Sequence, residues 1–458
     1  MDVAGRRALV VGLGKSGVAA CRLLASRGAR VAAADGKPEA GLGDALAQLS
    51  GVALEKLFAD GIGDEAFAGR DLVVVSPGVP LALPALARAA ARGVELIGEA
   101  ELAARFIREP ILGITGTNGK STTTALAGHL LSTAGRKVFV GGNLGDALCN
   151  RVLAGGALDA TVAELSSFQL EAVSTLRCAA ACVLNVTPDH LDRYPSIEAY
   201  ADAKARIFAG QREGDEAVLN LRDPRVRAMP TLPSTVRRGF DPAPPGAPKL
   251  APVDGTPLSG ALTGPRTLRV DDLSFELRAK TLRGAHNGEN ALAALLLALA
   301  LRPSPRAEEL QRGLDSYPGL PHRLESVRLL DGVEWVNDSK ATNVDSVEKS
   351  LGAFDQGVIL MMGGRGKGAP YAPLRPLFQG RVKALLTIGE DSARIAAELG
   401  DLAPVTACGD LSSACLSARK LAARGDTVLL SPACASYDQF RNFEDRGDQF
   451  KRLVRGIA

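Results

Sequence analysis

At 458 residues the chain exceeds one ordinary core, and 46% AVILMFWYC with 23% charged residues fits a globular protein of two or three α/β domains. Lys plus Arg total 54 against 51 Asp plus Glu, a net charge of +3 that excludes the strong basic field of a nucleic-acid or anionic-membrane binder. Seven scattered Cys without C-x-x-C spacing indicate reduced, buried thiols of a cytosolic chain, with no disulfide framework.

In chain order, apolar runs at residues 8–11, 31–34, 72–75 and 94–97 alternate with a helical pattern over 18–26, which predicts a parallel sheet with crossover helices. The run after Arg6 and Arg7 meets glycines at once instead of extending into a signal sequence, so a soluble, cytoplasmic chain is expected. The turn Gly12-Leu13-Gly14-Lys15-Ser16-Gly17 follows the first strand, and Asp35 ends the next. Such glycines at a helix N-terminus suit a dinucleotide or a nucleotide-sugar diphosphate equally well. A tight structural turn is the plainer alternative.

A second unit opens at residues 111–112, passes through a Gly-rich turn into a helix from Ser121, and continues with strands near 160–163 and 181–186. The turn Gly116-Thr117-Asn118-Gly119-Lys120-Ser121-Thr122 ends as a Walker A loop does, although Ile114 stands where the strict motif has its first glycine, one place after Gly113. Its backbone N–H groups cradle phosphate, Lys120 neutralises the β and γ phosphates, and Ser121 supplies a hydroxyl to Mg²⁺. Glu164 and His190 end neighbouring strands as metal partners beside those phosphates, while Asp192 reads as a helix cap. Residues 229–269 are rich in Pro and Gly, a surface loop with small accessory strands. The string from Gly284 to Asn290 is read as preceding an aliphatic helix over 291–301, too short to span a bilayer.

A third unit opens near Gly319 with strands at 358–362, 384–388 and 428–430. Three successive doubly wound units are expected: a Rossmann-like N-terminal domain (1–98), a central P-loop ATPase domain (99–318) and a Rossmann-like C-terminal domain (319–458). Amides such as Asn287 and Asn290 can read a purine or ribose, Arg323 can pair with phosphate, and Lys367 and Ser436 suit the carboxylate of an incoming amino acid.

The ordered strings GTNGKST (116–122), ELSSFQ (164–169), NVTPDHLD (185–192), HNGEN (286–290), PHRLE (321–325), NDSKATN (337–343) and SPACASYDQFRNFEDRG (431–447) resemble the Mur ligase family over essentially the whole chain, closest to its D-glutamate-adding members. The resemblance implies an ATP-dependent ligase of peptidoglycan precursor synthesis. It would pass phosphate from ATP to the carboxylate of UDP-N-acetylmuramoyl-L-alanine and then attach D-glutamate.

It further implies that Lys204 is carbamylated and, with Ser121, Glu164 and His190, serves two Mg²⁺ ions. Gly14, Lys15, Ser16, Asp35, Ser76, Gly78, Asn143 and Ser166 would contact the UDP substrate, and Asn287, Asn290, Arg323 and Asp338 the ATP. Lys340, Thr342, Lys367, Ser436 and Phe443 would hold D-glutamate. Arg365, where some members carry an acid, departs from the pattern. A monomer without nucleic-acid partner or membrane insertion is expected. The competing classes are a NAD-dependent oxidoreductase, which leaves the P-loop idle, a nucleotide switch without catalysis, and a sibling Mur-type or folylpolyglutamate-type amide ligase.

Overall fold

The computed structural model describes residues 1–190, 193–248, 250, 253 and 255–457, so Asp192 lies outside the described residues. Residues 1–276 with 289–314 form one compact unit, and residues 277–288 with 315–458 a second.

In the first unit a five-stranded sheet runs in the order Leu54–Phe58, Arg30–Ala34, Arg7–Val11, Leu72–Val75, Glu95–Gly98, all parallel. Its central strands are apolar almost throughout because helices cover both faces. Alternate residues divide between them: Ala8 and Val10 enter one core cluster, Leu9 and Val11 the other. The order reverses between Arg7–Val11 and Leu72–Val75, a switch point whose carboxyl edge carries Gly12 and Ser76.

The same unit holds a nine-stranded sheet in the order Leu273–Glu276, Thr267–Val270, Leu258–Leu262, Val236–Asp241, Glu216–Asn220, Ala180–Val183, Ile111–Thr115, Ala160–Glu164, Val138–Gly142. Its strands are parallel from Val138–Gly142 to Leu258–Leu262, and the last two pair antiparallel. One continuous apolar cluster joins the two sheets' helices.

Glu101 fixes that junction. Its fully buried carboxylate accepts the N–H groups of Ser174, Thr175 and Leu176, the hydroxyls of Ser174 and Thr175, and Nε–H of Arg105.

In the second unit six strands run Glu325–Leu330, Val333–Asn337, Thr427–Leu430, Val358–Gly363, Val382–Ile388, Val405–Gly409, parallel except for the first pair. Leu360 and Met362 face one core, Ile359 and Met361 the other.

Several expectations are corrected. Leu54–Phe58 and Val138–Gly142 are edge strands the apolar pattern hides, one carrying exposed Glu and Lys, the other ending in glycines. The strand expected over 181–186 stops at Val183, and the HNGEN string lies inside the helix Ala285–Ala300 instead of before it. Gly113 belongs to the strand Ile111–Thr115, where a Cβ would stand 2.6 Å from Cys178 Sγ; packing, not phosphate, explains it. All seven Cys are free, and only Cys408 is partly accessible. No helix among the described residues is long and apolar enough to cross a membrane.

Burial alone would raise the Glu101 pKa, yet its donors pull it from 4.5 to about 2. A depressed carboxylate stabilises the fold above the unfolded value and loses that contribution as pH falls from about 4.5 toward 2. Glu101→Ala is expected to cost about 3–5 kcal/mol in urea unfolding at pH 7, because it leaves buried donors unpaired. The difference from the parent should shrink as the unfolding is repeated toward pH 3.

Candidate active site

The loop between Ile111–Thr115 and the helix Lys120–Thr133 is shaped by two residues in conformations that side chains resist, Gly116 at φ 149° and Gly119 at φ 85°. A Cβ on Gly119 would collide with Asn290 Oδ1, which also accepts the Thr123 hydroxyl at 3.2 Å. Glycine is therefore required where the loop meets the helix Ala285–Ala300. The other flank is tied to the segment after Ala180–Val183. Thr117 N–H donates to Asn185 O at 2.9 Å, Asn118 N–H to Asn185 Oδ1 at 2.8 Å, and Thr117 exchanges hydrogen bonds with Thr187.

Lys120, the first helical residue, folds back so that Nζ donates to Gly116 O and Thr117 O, each at 2.9 Å. Lys204, on the helix Ile197–Ala205 and 1% exposed, donates to the same Gly116 carbonyl at 2.9 Å and lies over the Tyr200 ring. Burial, with the Lys120 charge added, pushes the Lys204 pKa from 10.5 down to about 6 despite Asp189 and Glu164. The shift favours the neutral amine near neutral pH. Ser121 and Thr122 occupy the first turn of the helix after the loop, where backbone N–H groups point outward.

Glu164 ends its strand with Oε1 accepting Asn143 Nδ2 at 2.7 Å, while Oε2 is buried with no hydrogen-bond partner among the described residues. A buried carboxylate oxygen left so suits a hard cation. His190 stands at φ 53° with its ring edge-on to Phe168 and its Nε2 3.6 Å from Asp189 Oδ2. Ser166 caps the short helix Ser167–Leu170 through a reciprocal pair with Gln169.

At the first sheet's carboxyl edge, Asp35 accepts Leu13 N–H at 2.7 Å and Lys37 N–H at 2.9 Å, which braces the glycine turn. Ser76 donates to Gly12 O at 2.7 Å. Gly14 caps the helix Lys15–Ser26 without a side chain, and Gly14, Lys15 and Gly78 are exposed beside half-buried Ser16. Arg193 donates to Pro77 O at 3.3 Å and pairs with Glu171, so the His190 loop touches the turn that holds Ser76 and Gly78.

In the second unit, Asn287 donates to Arg283 O at 2.7 Å. Asp338 accepts Ser350 and Ser431 hydroxyls at 2.5 and 2.8 Å and Leu324 N–H at 3.2 Å, and burial raises its pKa to about 6. The backbone of Arg323 bonds to Leu320 O. Lys340 lies 4.7 Å over the Phe443 ring, Thr342 follows in the same loop, and Ser436 is buried two residues beyond Cys434. Arg446, which sequence reasoning passed over, donates to Ser339 and Cys434 carbonyls and so clamps the Lys340 and Ser436 loops together. Arg365 bridges to Ala435 through backbone and to Glu390 through a two-pronged ion pair, leaving Lys367 exposed on the same turn.

Family models match in chain order: "Mur ligase MurD-like, N-terminal domain" over residues 6–98, "Mur ligase middle domain" over 114–298, and "Mur ligase, glutamate ligase domain" over 322–434. A protein of Anaeromyxobacter dehalogenans named UDP-N-acetylmuramoylalanine–D-glutamate ligase is 54% identical, the match covering 99% of this chain and 98% of the relative. One of the same name from Myxococcus xanthus is 52% identical over the full length of both. Among solved structures, the MurF ligase of Thermotoga maritima in complex with ADP shares the fold at TM-score 0.63 and 16% identity, covering 100% of this chain and 97% of its own. The UDP-N-acetylmuramate–alanine ligase MurC of the same organism does so at TM-score 0.58 and 18% identity, covering 98% of this chain and 99% of its own. The three sheets are therefore those of a known architecture, and this chain belongs to the Mur ligase family.

Proposed function

We propose that the chain joins D-glutamate to UDP-N-acetylmuramoyl-L-alanine with conversion of ATP to ADP and phosphate, a step of peptidoglycan precursor synthesis. The observation that carries this reading is the full-length identity of 54% and 52% to two ligases of that name. The loop geometry supports the phosphoryl chemistry. The domains divide at 1–98, 99–318 and 319–458, and the chain works as a cytoplasmic monomer.

A carboxylate is a poor electrophile, so the acceptor must first be activated. Its oxygen attacks the γ-phosphorus of ATP, ADP leaves, and an acyl phosphate forms. The D-glutamate amine then attacks the acyl carbon, loses a proton, and the tetrahedral adduct expels phosphate. Lys120 and the loop's N–H groups bind and orient the phosphates, where positioning and electrostatics do most of the catalysis.

Ser121 and Glu164, whose Oε2 is otherwise orphaned, fit a hard cation, and His190 with a carbamylated Lys204 would complete the set for two Mg²⁺ ions. Such ions, when bound, spread the charge of the transferred phosphoryl group. A neutral Lys204 amine is the form that adds to CO₂, which supports the carbamylation. Asn287, Asn290, Arg323 and Asp338 serve the nucleotide. Gly14, Lys15, Ser16, Asp35, Ser76, Gly78, Asn143 and Ser166 serve the UDP substrate, and Lys340, Thr342, Lys367, Ser436 and Phe443 hold D-glutamate.

Phosphate release from ATP and Mg²⁺ with UDP-N-acetylmuramoyl-L-alanine should require D-glutamate and fail with L-glutamate, L-alanine or meso-diaminopimelate. Release with another amine instead would transfer the chain to a sibling ligase. Lys120→Ala should lower that rate by at least about 10³-fold, since it removes the charge that meets the transferred phosphate; a near-parental rate would remove Lys120 from the site.

In ¹³C-bicarbonate the parent should show a carbamate carbonyl resonance that Lys204→Ala lacks. In CO₂-free buffer, Lys204 carries a depressed pKa, so the unfolded chain binds more protons between pH 6 and 10.5 and stability rises with pH across that window. Lys204→Met should therefore raise Tm at pH 7, with the gain shrinking toward pH 10.

A further inference from the structure

Helix Ala285–Ala300 begins in the second compact unit and continues in the first from Glu289 onward. Two adjacent residues of this helix reach the phosphate loop by different routes. Asn290 presses directly on Gly119. Glu289 acts at one remove: its Oε1 accepts Asn185 Nδ2 at 2.8 Å and, more weakly, Asn220 Nδ2 at 3.5 Å. Asn220 is held in turn by Leu184 O at 2.8 Å.

A side-chain amide has one accepting and one donating end, and an ionised carboxylate only accepts. Asn185 turns Nδ2 toward the Glu289 carboxylate at 2.8 Å, with a longer bond to Asn118 O at 3.3 Å, and Oδ1 toward the Asn118 N–H, which it accepts at 2.8 Å. The reversed amide would set two acceptors against each other at Glu289 and two donors against each other at Asn118. The backbone carbonyl of Asn185 separately accepts Thr117 N–H, so this residue meets two consecutive loop residues, and its side chain governs the contact with Asn118.

We propose that Glu289 is a positioning residue for nucleotide binding, acting through the amide of Asn185 to hold the Asn118 N–H and carbonyl in the phosphate-binding shape. The inference rests on the loop's being the nucleotide site, and it adds a residue that acts on that loop through Asn185.

The test reverses the polarity of the pair. Asn185→Asp sets two carboxylates face to face and should weaken ADP binding, measured calorimetrically with Mg²⁺, by about tenfold or more. Adding Glu289→Gln supplies an amide donor opposite the introduced carboxylate and should return the affinity to within about threefold of the parent. Glu289→Gln alone should fall between. A role confined to packing would not produce rescue by the second substitution, and a double variant no better than Asn185→Asp would overturn the proposal. If Asn185→Asp does not fold, Glu289→Ala decides: ADP affinity about tenfold weaker at unchanged Tm supports the proposal, and unchanged affinity refutes it. Failure of the parent chain to bind ADP would remove the nucleotide reading, and this inference with it.

Discussion

A single carbonyl oxygen, that of Gly116, receives two lysine amines, Lys120 and Lys204, each at 2.9 Å. Two ammonium groups on one acceptor in a site sheltered from water repel each other strongly, and the arrangement persists only if one of them gives up its proton. Lys204, the more deeply buried, is the one whose pKa is pushed down. The φ of 149° at Gly116 places the shared acceptor, and the helix Ile197–Ala205 has to approach the loop closely enough to deliver its lysine. Two lysine amines thus stand side by side at one carbonyl, and burial, with the charge of its neighbour added, depresses the pKa of the more buried one.

The strand–turn–helix setting of the glycine loop was legible in the sequence because its signals are local: an apolar strand before, a helix after, and seven residues from Gly116 to Thr122 between and into them. The parallel sheets were legible for a similar reason, since buried strands read as unbroken apolar runs. Edge strands were not. Leu54–Phe58 faces solvent enough to keep Glu55 and Lys56, and the aliphatic signal disappears.

Residues acting through partners far away in sequence were harder still. Nothing near Glu289 announces that it meets Asn185 across 104 positions, and nothing near Asp338 announces the hydroxyl of Ser431. Arg446 lies among charged residues of the helix Phe443–Gly456, yet the fold buries it completely. Burial lowers its pKa to about 10, and its hydrogen bonds go to carbonyls and a hydroxyl. Taking a guanidinium into such a place is costly, and the Asp438 carboxylate offsets that cost only in part. What it gains is geometry, because one rigid fork holds the loop after Val333–Asn337 against the loop after Thr427–Leu430.

The cysteines described above have a practical side. Six thiols are buried, and burial pushes those of Cys21, Cys178 and Cys415 to about 12 and Cys434 to about 11, so they present almost no thiolate to reagents. Cys408, at the end of Val405–Gly409, is the accessible exception, itself held above its ordinary value by partial burial. The chain consequently carries one accessible attachment point for a fluorophore or spin label on its second compact unit, with the other six thiols shielded by burial.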